Sequence, residues 1–181
     1  MKYYNEITLK DGKSCILRSP AYDDGAEILT HMILTSDETD NMLRYPDEIK
    51  MTADEEACYL QEIFESDDRI MICAVGDGKI VANGGFYPVL KLDKCRHRAE
   101  FGISVKREYW GKEIGSHILS AVIETARQAG YTQLELDVVT DNTRAVALYK
   151  KFGFTIFGTN DRAFRLRNGE YKGLHLMTLG L

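Results

Sequence analysis

The strand-to-helix junction over residues 105–116 constrains this sequence most. A β-rich run over 98–105 enters a short loop that contains glycines, and an amphipathic helix over 115–129 follows at once. The first N–H groups of a helix have no intrahelical partner, and with the helix dipole they attract anions. Lys112 and Arg107 add positive charge there. Taken alone, two glycines before a helix more often mark an ordinary turn, and an anion site suited to a pyrophosphate is the second interpretation.

A second motif lies in the helix predicted over 142–152. Asn142 suits the N-cap position because its side chain can accept a hydrogen bond from the first turn. Asn142, Ala145 and Tyr149 fall on one side of this helix. Taken alone, a tyrosine on an amphipathic helix is usually a packing residue, so this motif by itself predicts only a capped helix.

A dinucleotide-binding Rossmann fold is the obvious rival interpretation of a glycine loop before a helix. Its glycine motif follows an early strand, and an acidic residue about 20 positions later ends the next strand. Here the loop lies past the middle of the 181-residue chain. Position in the sequence therefore argues against that fold.

The remaining patterns predict an α/β (α+β) chain with a mixed sheet. One domain is expected over 1–181, because a chain of this length rarely forms two and no linker divides it. Thr52 and Glu55 form a capping box before a helix, and Gly76-Asp77-Gly78 predicts a hairpin turn. Strand pieces are predicted in 7–18, 70–75, 79–87, 98–105 and 133–139. Helices are predicted over 22–35, after Thr52, over 115–129 and over 142–152. An irregular segment is predicted over 37–50, and a last hairpin over 163–181 around Asn168-Gly169.

The two motifs together resemble the GNAT superfamily of acetyl-CoA-dependent N-acetyltransferases. The first resembles that family's pyrophosphate loop, and the second matches its pattern Asn-x-x-Ala-x-x-Leu-Tyr-x-Lys-x-Gly-Phe. One helix and one strand separate them, as in the family. The similarity covers about residues 99–158, and the last hairpin is similar to that of many bacterial members. The resemblance implies a single GNAT-like domain with a twisted mixed sheet flanked by helices.

The resemblance also implies a role for each matching position. Backbone groups of Ile103, Ser104 and Val105 would hold the acetyl-pantetheine arm, and Asn142 would contact it. Two departures stand out, because the family usually has Gln or Arg at Trp110 and Gly at Glu113. We expect Glu113 in the first helical turn, where its carboxylate could oppose the phosphates. The amides expected to bind the pyrophosphate belong to Trp110, Gly111, Lys112, Glu113, Ile114, Gly115 and Ser116.

The chemistry of transfer needs a proton donor and a proton acceptor. Tyr149, which the resemblance places at the sulfur, has a pKa of about 10 and can protonate a leaving thiolate whose conjugate acid has a pKa near 8.5. A lysine-like amine, with a pKa of about 10.4, must lose a proton before it attacks. Glu100, on the strand beside the cofactor arm, is the candidate base, with a salt-bridged strand residue as its alternative role. His97, Glu135 and Asp137 are the other candidate bases.

Composition excludes several classes of function. The net charge of −5 and the lack of basic–aromatic clusters argue against nucleic-acid binding. No signal peptide, long apolar stretch or metal-ligand spacing is visible, so we expect no membrane partner, no metal and a cytoplasmic protein with reduced cysteines. The predicted function is transfer of acetyl from acetyl-CoA to an amine-bearing substrate. A non-catalytic acyl-CoA-binding or regulatory module is the alternative, and pairing of edge strands leaves a homodimer open.

Overall fold

One mixed β-sheet organises the chain. The computed structural model describes all 181 residues. The eight strands are β1 (Tyr4–Thr8), β2 (Ser14–Arg18), β3 (Ile70–Gly76), β4 (Lys79–Pro88), β5 (Arg98–Val105), β6 (Gln133–Val139), β7 (Thr155–Arg165) and β8 (Tyr171–Gly180). They lie in the order β1-β2-β3-β4-β5-β6-β8-β7. The predicted α+β fold with a mixed sheet is confirmed.

Four helices pack on this sheet. They are α1 (Gly25–Asp37), α2 (Ala53–Glu65), α3 (Ile114–Gln128) and α4 (Thr143–Lys151). The predicted capping box of α2 is present, since the Thr52 hydroxyl accepts from the Glu55 N–H at 3.2 Å and the Glu55 carboxylate accepts from the Thr52 N–H at 2.7 Å. Asn142 caps α4 by accepting from the Ala145 N–H at 3.3 Å. None of the four helices combines the length and the apolar character that a membrane span requires.

The helices cover both faces of the sheet. Ile72 and Ala74 of β3 belong to a large core cluster that α3 completes, whereas Cys73 between them packs with Ile28 of α1 and Leu60 of α2. Successive strand residues point to opposite faces, so α3 lies on one face and α1 and α2 lie on the other. Each fully buried aliphatic side chain stabilises this arrangement by about 1.5–3 kcal/mol.

The sheet opens between its two parallel strands. β5 and β6 are the only parallel neighbours, and they pair over three positions alone, from Arg98 with Gln133 to Glu100 with Glu135. Beyond Glu100, β5 keeps its pairing with β4, while β6 keeps its pairing with β8. The remaining half of β5 therefore has a free edge, and this gap determines where a ligand can enter the sheet.

Two segments depart from the sequence prediction more than by shifted element ends. The last hairpin was predicted from residue 163, but β7 already begins at Thr155. This strand lies at the edge of the sheet and is exposed along most of its length, so it lacks the alternating apolar pattern of a half-buried strand. The irregular segment predicted over 37–50 contains one short 3-10 turn, Pro46–Glu48.

Candidate active site

A cleft of about 540 Å³ occupies the gap between β5 and β6. The N-terminal end of α3 and one side of α4 complete its walls. Of the residues predicted to bind the cofactor or to serve as Tyr149 and Glu100 do in catalysis, all but Lys112 line this cleft. Those that line the cleft are Glu100, Ile103, Ser104, Val105, Trp110, Gly111, Glu113, Ile114, Gly115, Ser116, Asn142 and Tyr149.

The start of α3 presents free backbone donors to the cleft. His117 donates the first helical hydrogen bond, to the Glu113 carbonyl at 3.1 Å. The N–H groups of Ile114, Gly115 and Ser116 therefore have no partner within the helix. With the positive end of the helix dipole, they form a site for an anion.

Glu113 corrects one expectation. It was expected in the first helical turn, but it is the N-cap residue and adopts a left-handed conformation with φ of 69°. A left-handed conformation costs a residue other than glycine about 1–2 kcal/mol, which explains why glycine is usual at this position. The Glu113 side chain is exposed and forms no salt bridge.

The two cations predicted beside this loop are engaged by other groups. Lys112 forms an ion pair with Asp11 at 3.4 Å. Arg107 donates through its backbone N–H to the Glu38 carboxylate at 2.8 Å and through its guanidinium to the Glu38 carbonyl. Neither side chain lines the cleft. Their charge is therefore directed at protein groups and not at the helix terminus.

Arg144 is the cation that sequence reasoning missed. It is the only basic side chain that lines the cleft. Its guanidinium lies 3.8 Å from the centroid of the Trp110 ring, and the Trp110 indole N–H is anchored to the Val105 carbonyl at 2.7 Å. Burial lowers the pKa of Arg144, and no carboxylate opposes that effect. An aromatic face thus holds an unpaired cation beside the anion site.

Tyr149 lies at the inner end of the cleft. Its ring is 7% exposed and packs edge-on against Phe101, with centroids 6.1 Å apart, and against Phe154 at 5.9 Å. Burial raises the pKa of Tyr149 well above its ordinary value. The phenol therefore stays protonated at neutral pH and is available as a donor.

Two carboxylates line the opposite wall. Glu100 pairs with Glu135 across the parallel strands, and Asp137 lies two residues further along β6 on the same face. Burial and the charges of Glu100 and Glu135 raise the pKa of Asp137. Glu135 itself is bound to Arg98 and lies outside the cleft lining, as does His97. The cleft therefore offers Glu100 and Asp137 as proton acceptors.

Curated proteins similar to this chain are N-acetyltransferases with different acceptors. They include the L-amino acid N-acetyltransferase AaaT of Escherichia coli, 37% identical over 60% of this chain and 65% of its own length. The thialysine N-epsilon-acetyltransferase of Bos taurus is 40% identical over 41% and 44%. The spermidine N(1)-acetyltransferase of Escherichia coli is 29% identical over 49% and 47%. The match spans less than two thirds of each of these relatives.

Solved structures match over nearly the whole fold. The GNAT-family acetyltransferase of Streptococcus pneumoniae is 30% identical, with a TM-score of 0.88, over 92% of this chain and 99% of its own. The yncA protein of Salmonella typhimurium, solved with acetyl-CoA, shares the fold at 19% identity, with a TM-score of 0.81 over 98% and 94% of the two chains. A family model for the acetyltransferase (GNAT) family matches residues 34–154. The chain belongs to this family.

Proposed function

We propose that this chain transfers the acetyl group of acetyl-CoA directly to a primary amine. One observation carries the proposal. A single cleft combines a helix terminus that suits phosphate groups, a protonated buried Tyr149, and the carboxylates of Glu100 and Asp137 on the facing wall. Similarity to N-acetyltransferases of amino acids, thialysine and spermidine supports an amine acceptor.

The cleft offers groups that suit two parts of acetyl-CoA. The amides of 114–116 and the guanidinium of Arg144 suit its pyrophosphate. The free edge of β5 suits the amide groups of its pantetheine arm, with Ile103 and Ser104 at that edge and Asn142 across from it. Val105 is less free, because its carbonyl already accepts from Trp110. When bound, acetyl-CoA supplies an activated thioester.

The chemistry divides between two walls of the cleft. As the amine nitrogen bonds to the acetyl carbon, the carbon–sulfur bond breaks and the electron pair leaves with sulfur. The Tyr149 hydroxyl supplies the proton that sulfur gains. Glu100 and Asp137 accept the proton that the amine loses, and the raised pKa of Asp137 brings it closer to neutral pH, where a base works best.

The proposal is tested by following thiol release from acetyl-CoA with a broad panel of amines. Cofactor binding is measured separately by thermal unfolding, where ligand at 100 times its Kd adds about 2.7 kcal/mol of stability. The alternative, a non-catalytic acyl-CoA-binding or regulatory module, predicts the same stabilisation without amine-dependent thiol release. Absence of any stabilisation in a folded sample would exclude both functions.

Replacing Arg144 with Gln is expected to weaken acetyl-CoA binding by about tenfold or more. The change removes the only cation of the cleft, and a hydrogen bond to a charged group contributes about 1.5–3 kcal/mol. The measurement is calorimetric titration with acetyl-CoA. Arg127→Gln, at the opposite end of α3, is the matched control with the same charge change. Equal affinities of both variants would remove Arg144 from the site.

Replacing Glu113 with Gln is expected to tighten acetyl-CoA binding at low salt. The carboxylate lines the cleft beside the helix terminus and has no cationic partner, so it repels a pyrophosphate. The gain should shrink as salt rises, because the loop is open to solvent. Glu113→Gly should also stabilise the ligand-free protein by about 1 kcal/mol by relieving the left-handed conformation. Salt-independent affinity in Glu113→Gln would show that the charge plays no part.

Two further features of the protein belong to this proposal. We place it in the cytoplasm, which agrees with four free cysteines, two of them buried.

A homodimer would use the β7 edge, where the Phe157 side chain is 61% exposed. Gel filtration of wild type and Phe157→Ser tests the dimer, and a wild-type elution volume of a monomer would rule it out.

A further inference from the structure

A second cavity of about 240 Å³ adjoins the main cleft. It lies between β7 and residues 38–50 of the segment that joins α1 to α2. We call residues 38–50 the strap. The two cavities share Thr39, Met42, Leu43 and Phe164 in their linings. Three of these four side chains are apolar, so the boundary between the two cavities, which we call the junction, is mostly apolar.

The strap is held in place near both ends. Its first residue, Glu38, is bound by Arg107 of the segment between β5 and α3. Near the other end, Arg167 of the β7–β8 turn donates through Nη2 to both carboxylate oxygens of Asp47 at 2.8 Å. The same guanidinium lies 4.0 Å from the ring centroid of Tyr45, and the Arg167 backbone N–H donates to the Tyr45 hydroxyl at 3.1 Å.

This contact of Arg167 with Tyr45 and Asp47, which we call the clamp, stands apart from ordinary surface ion pairs. An isolated exposed pair contributes little because two flexible side chains must be ordered for it. Here the ordering of one residue, Arg167, allows several contacts at once. Its guanidinium contacts both Asp47 oxygens and the Tyr45 ring, and its backbone N–H donates to the Tyr45 hydroxyl. The clamp therefore holds the strap over β7 and keeps the second cavity formed.

Polarity changes from one cavity to the other. Glu100 and Asp137 line the main cleft, and three of the four side chains at the junction are apolar. Beyond it, the second cavity is lined by charged side chains of both signs, among them Arg44, Asp40 and Arg165. An acceptor that fits this profile has a primary amine, then an aliphatic segment, then a polar end.

We propose that the second cavity is a distal acceptor subsite for aliphatic amines with a polar far end, and that Arg167 is the positioning residue that maintains it. The proposal rests on the function proposed above, with the reacting amine beside Glu100 and Asp137. Each methylene group that enters the junction leaves water, which improves binding by roughly fourfold. Selectivity should therefore rise with chain length until the chain spans the junction.

The test is a series of unbranched ω-amino alcohols, from 2-aminoethanol to 8-amino-octan-1-ol, assayed by thiol release. These acceptors keep the amine and the polar end constant while the length changes. Wild-type kcat/KM is expected to rise by about fourfold per methylene over the middle of the series. Arg167→Gln should flatten this rise through KM, with little change for 2-aminoethanol or for acetyl-CoA.

Two further variants separate the subsite from general damage. Arg162→Gln has the same charge change on the same hairpin, but Arg162 stacks on Tyr171 at 4.0 Å and does not contact the strap, so it should keep the wild-type length profile. Ala163→Phe fills the second cavity without touching the main cleft, so only long acceptors should suffer. A wild-type profile independent of length, or equal loss for short and long acceptors in Arg167→Gln, would overturn the subsite. Failure of every amine would instead refute the proposed function.

Discussion

Tyr149→Phe is expected to lower kcat by about 100-fold or more while acetyl-CoA affinity changes little. The ring lies between Phe101 and Phe154, and phenylalanine keeps both contacts. The hydroxyl forms no hydrogen bond with the protein, so removing it should leave the fold intact. The variant loses only the proton donor for the departing sulfur. Because burial raises the pKa of Tyr149, this donor is protonated at neutral pH in the wild type.

Single-turnover thiol release measures this loss directly, because product release does not limit it. Tyr131→Phe is the matched control. Tyr131 is likewise 7% exposed, but its hydroxyl donates to the Asp68 carbonyl at 2.8 Å, far from the cleft. That variant should lose stability, by about 0.5–1.5 kcal/mol for one hydrogen bond, and keep its rate. A wild-type single-turnover rate in Tyr149→Phe would assign the proton donor elsewhere.

Local signals predicted most of the elements, because each depends on neighbouring residues. The capping box at Thr52 and the cap at Asn142 formed as the side-chain chemistry requires. Strands β5 and β6 were predicted with the observed boundaries, since they carry dense apolar patterns. The exposed edge strand β7 was predicted too short, because solvent on most of its length leaves no pattern to detect.

Sequence reasoning predicted site residues only where a local motif contains them. The contact of Trp110 with Arg144 joins the loop before α3 to the first turn of α4, 34 residues further along the chain, and no periodicity encodes it. Glu113 likewise has a left-handed backbone that only the fold reveals. Lys112 was assigned to the anion site by proximity in sequence, whereas its ammonium pairs with Asp11 of the β1–β2 turn. Long-range partners therefore decide which charges face the ligand.

The pairing of Glu100 with Asp137 shows the same limit for the chemistry. Sequence reasoning named Glu100 as the base and kept Asp137 among the alternatives. Parallel register places Glu100 beside Glu135, and the two-residue period of a strand brings Asp137 to the same face. Glu135 forms an ion pair with Arg98 and is therefore not a candidate base. We therefore treat Glu100 and Asp137 as two proton acceptors that share one wall of the cleft.

The double variant Glu100→Gln with Asp137→Asn is expected to lower kcat/KM by about 100-fold at neutral pH. The rate should partly recover at high pH, because more of the amine is already neutral there. Each single variant should lower kcat/KM by less than about tenfold, because the remaining carboxylate still accepts the proton. Thiol release across the pH range is the measurement, with Glu124→Gln on the exposed side of α3 as the control.

The single variants also predict a direction for the pH profile. A base works only when deprotonated, so activity rises as pH passes upward through its pKa. The charge of Glu100 helps to raise the pKa of Asp137, and Glu100→Gln removes that contribution. The acid limb of Glu100→Gln should therefore move to lower pH than in wild type, because Asp137 then loses its proton more readily. A double variant that keeps both the wild-type rate and the wild-type acid limb would show that neither carboxylate accepts the amine proton.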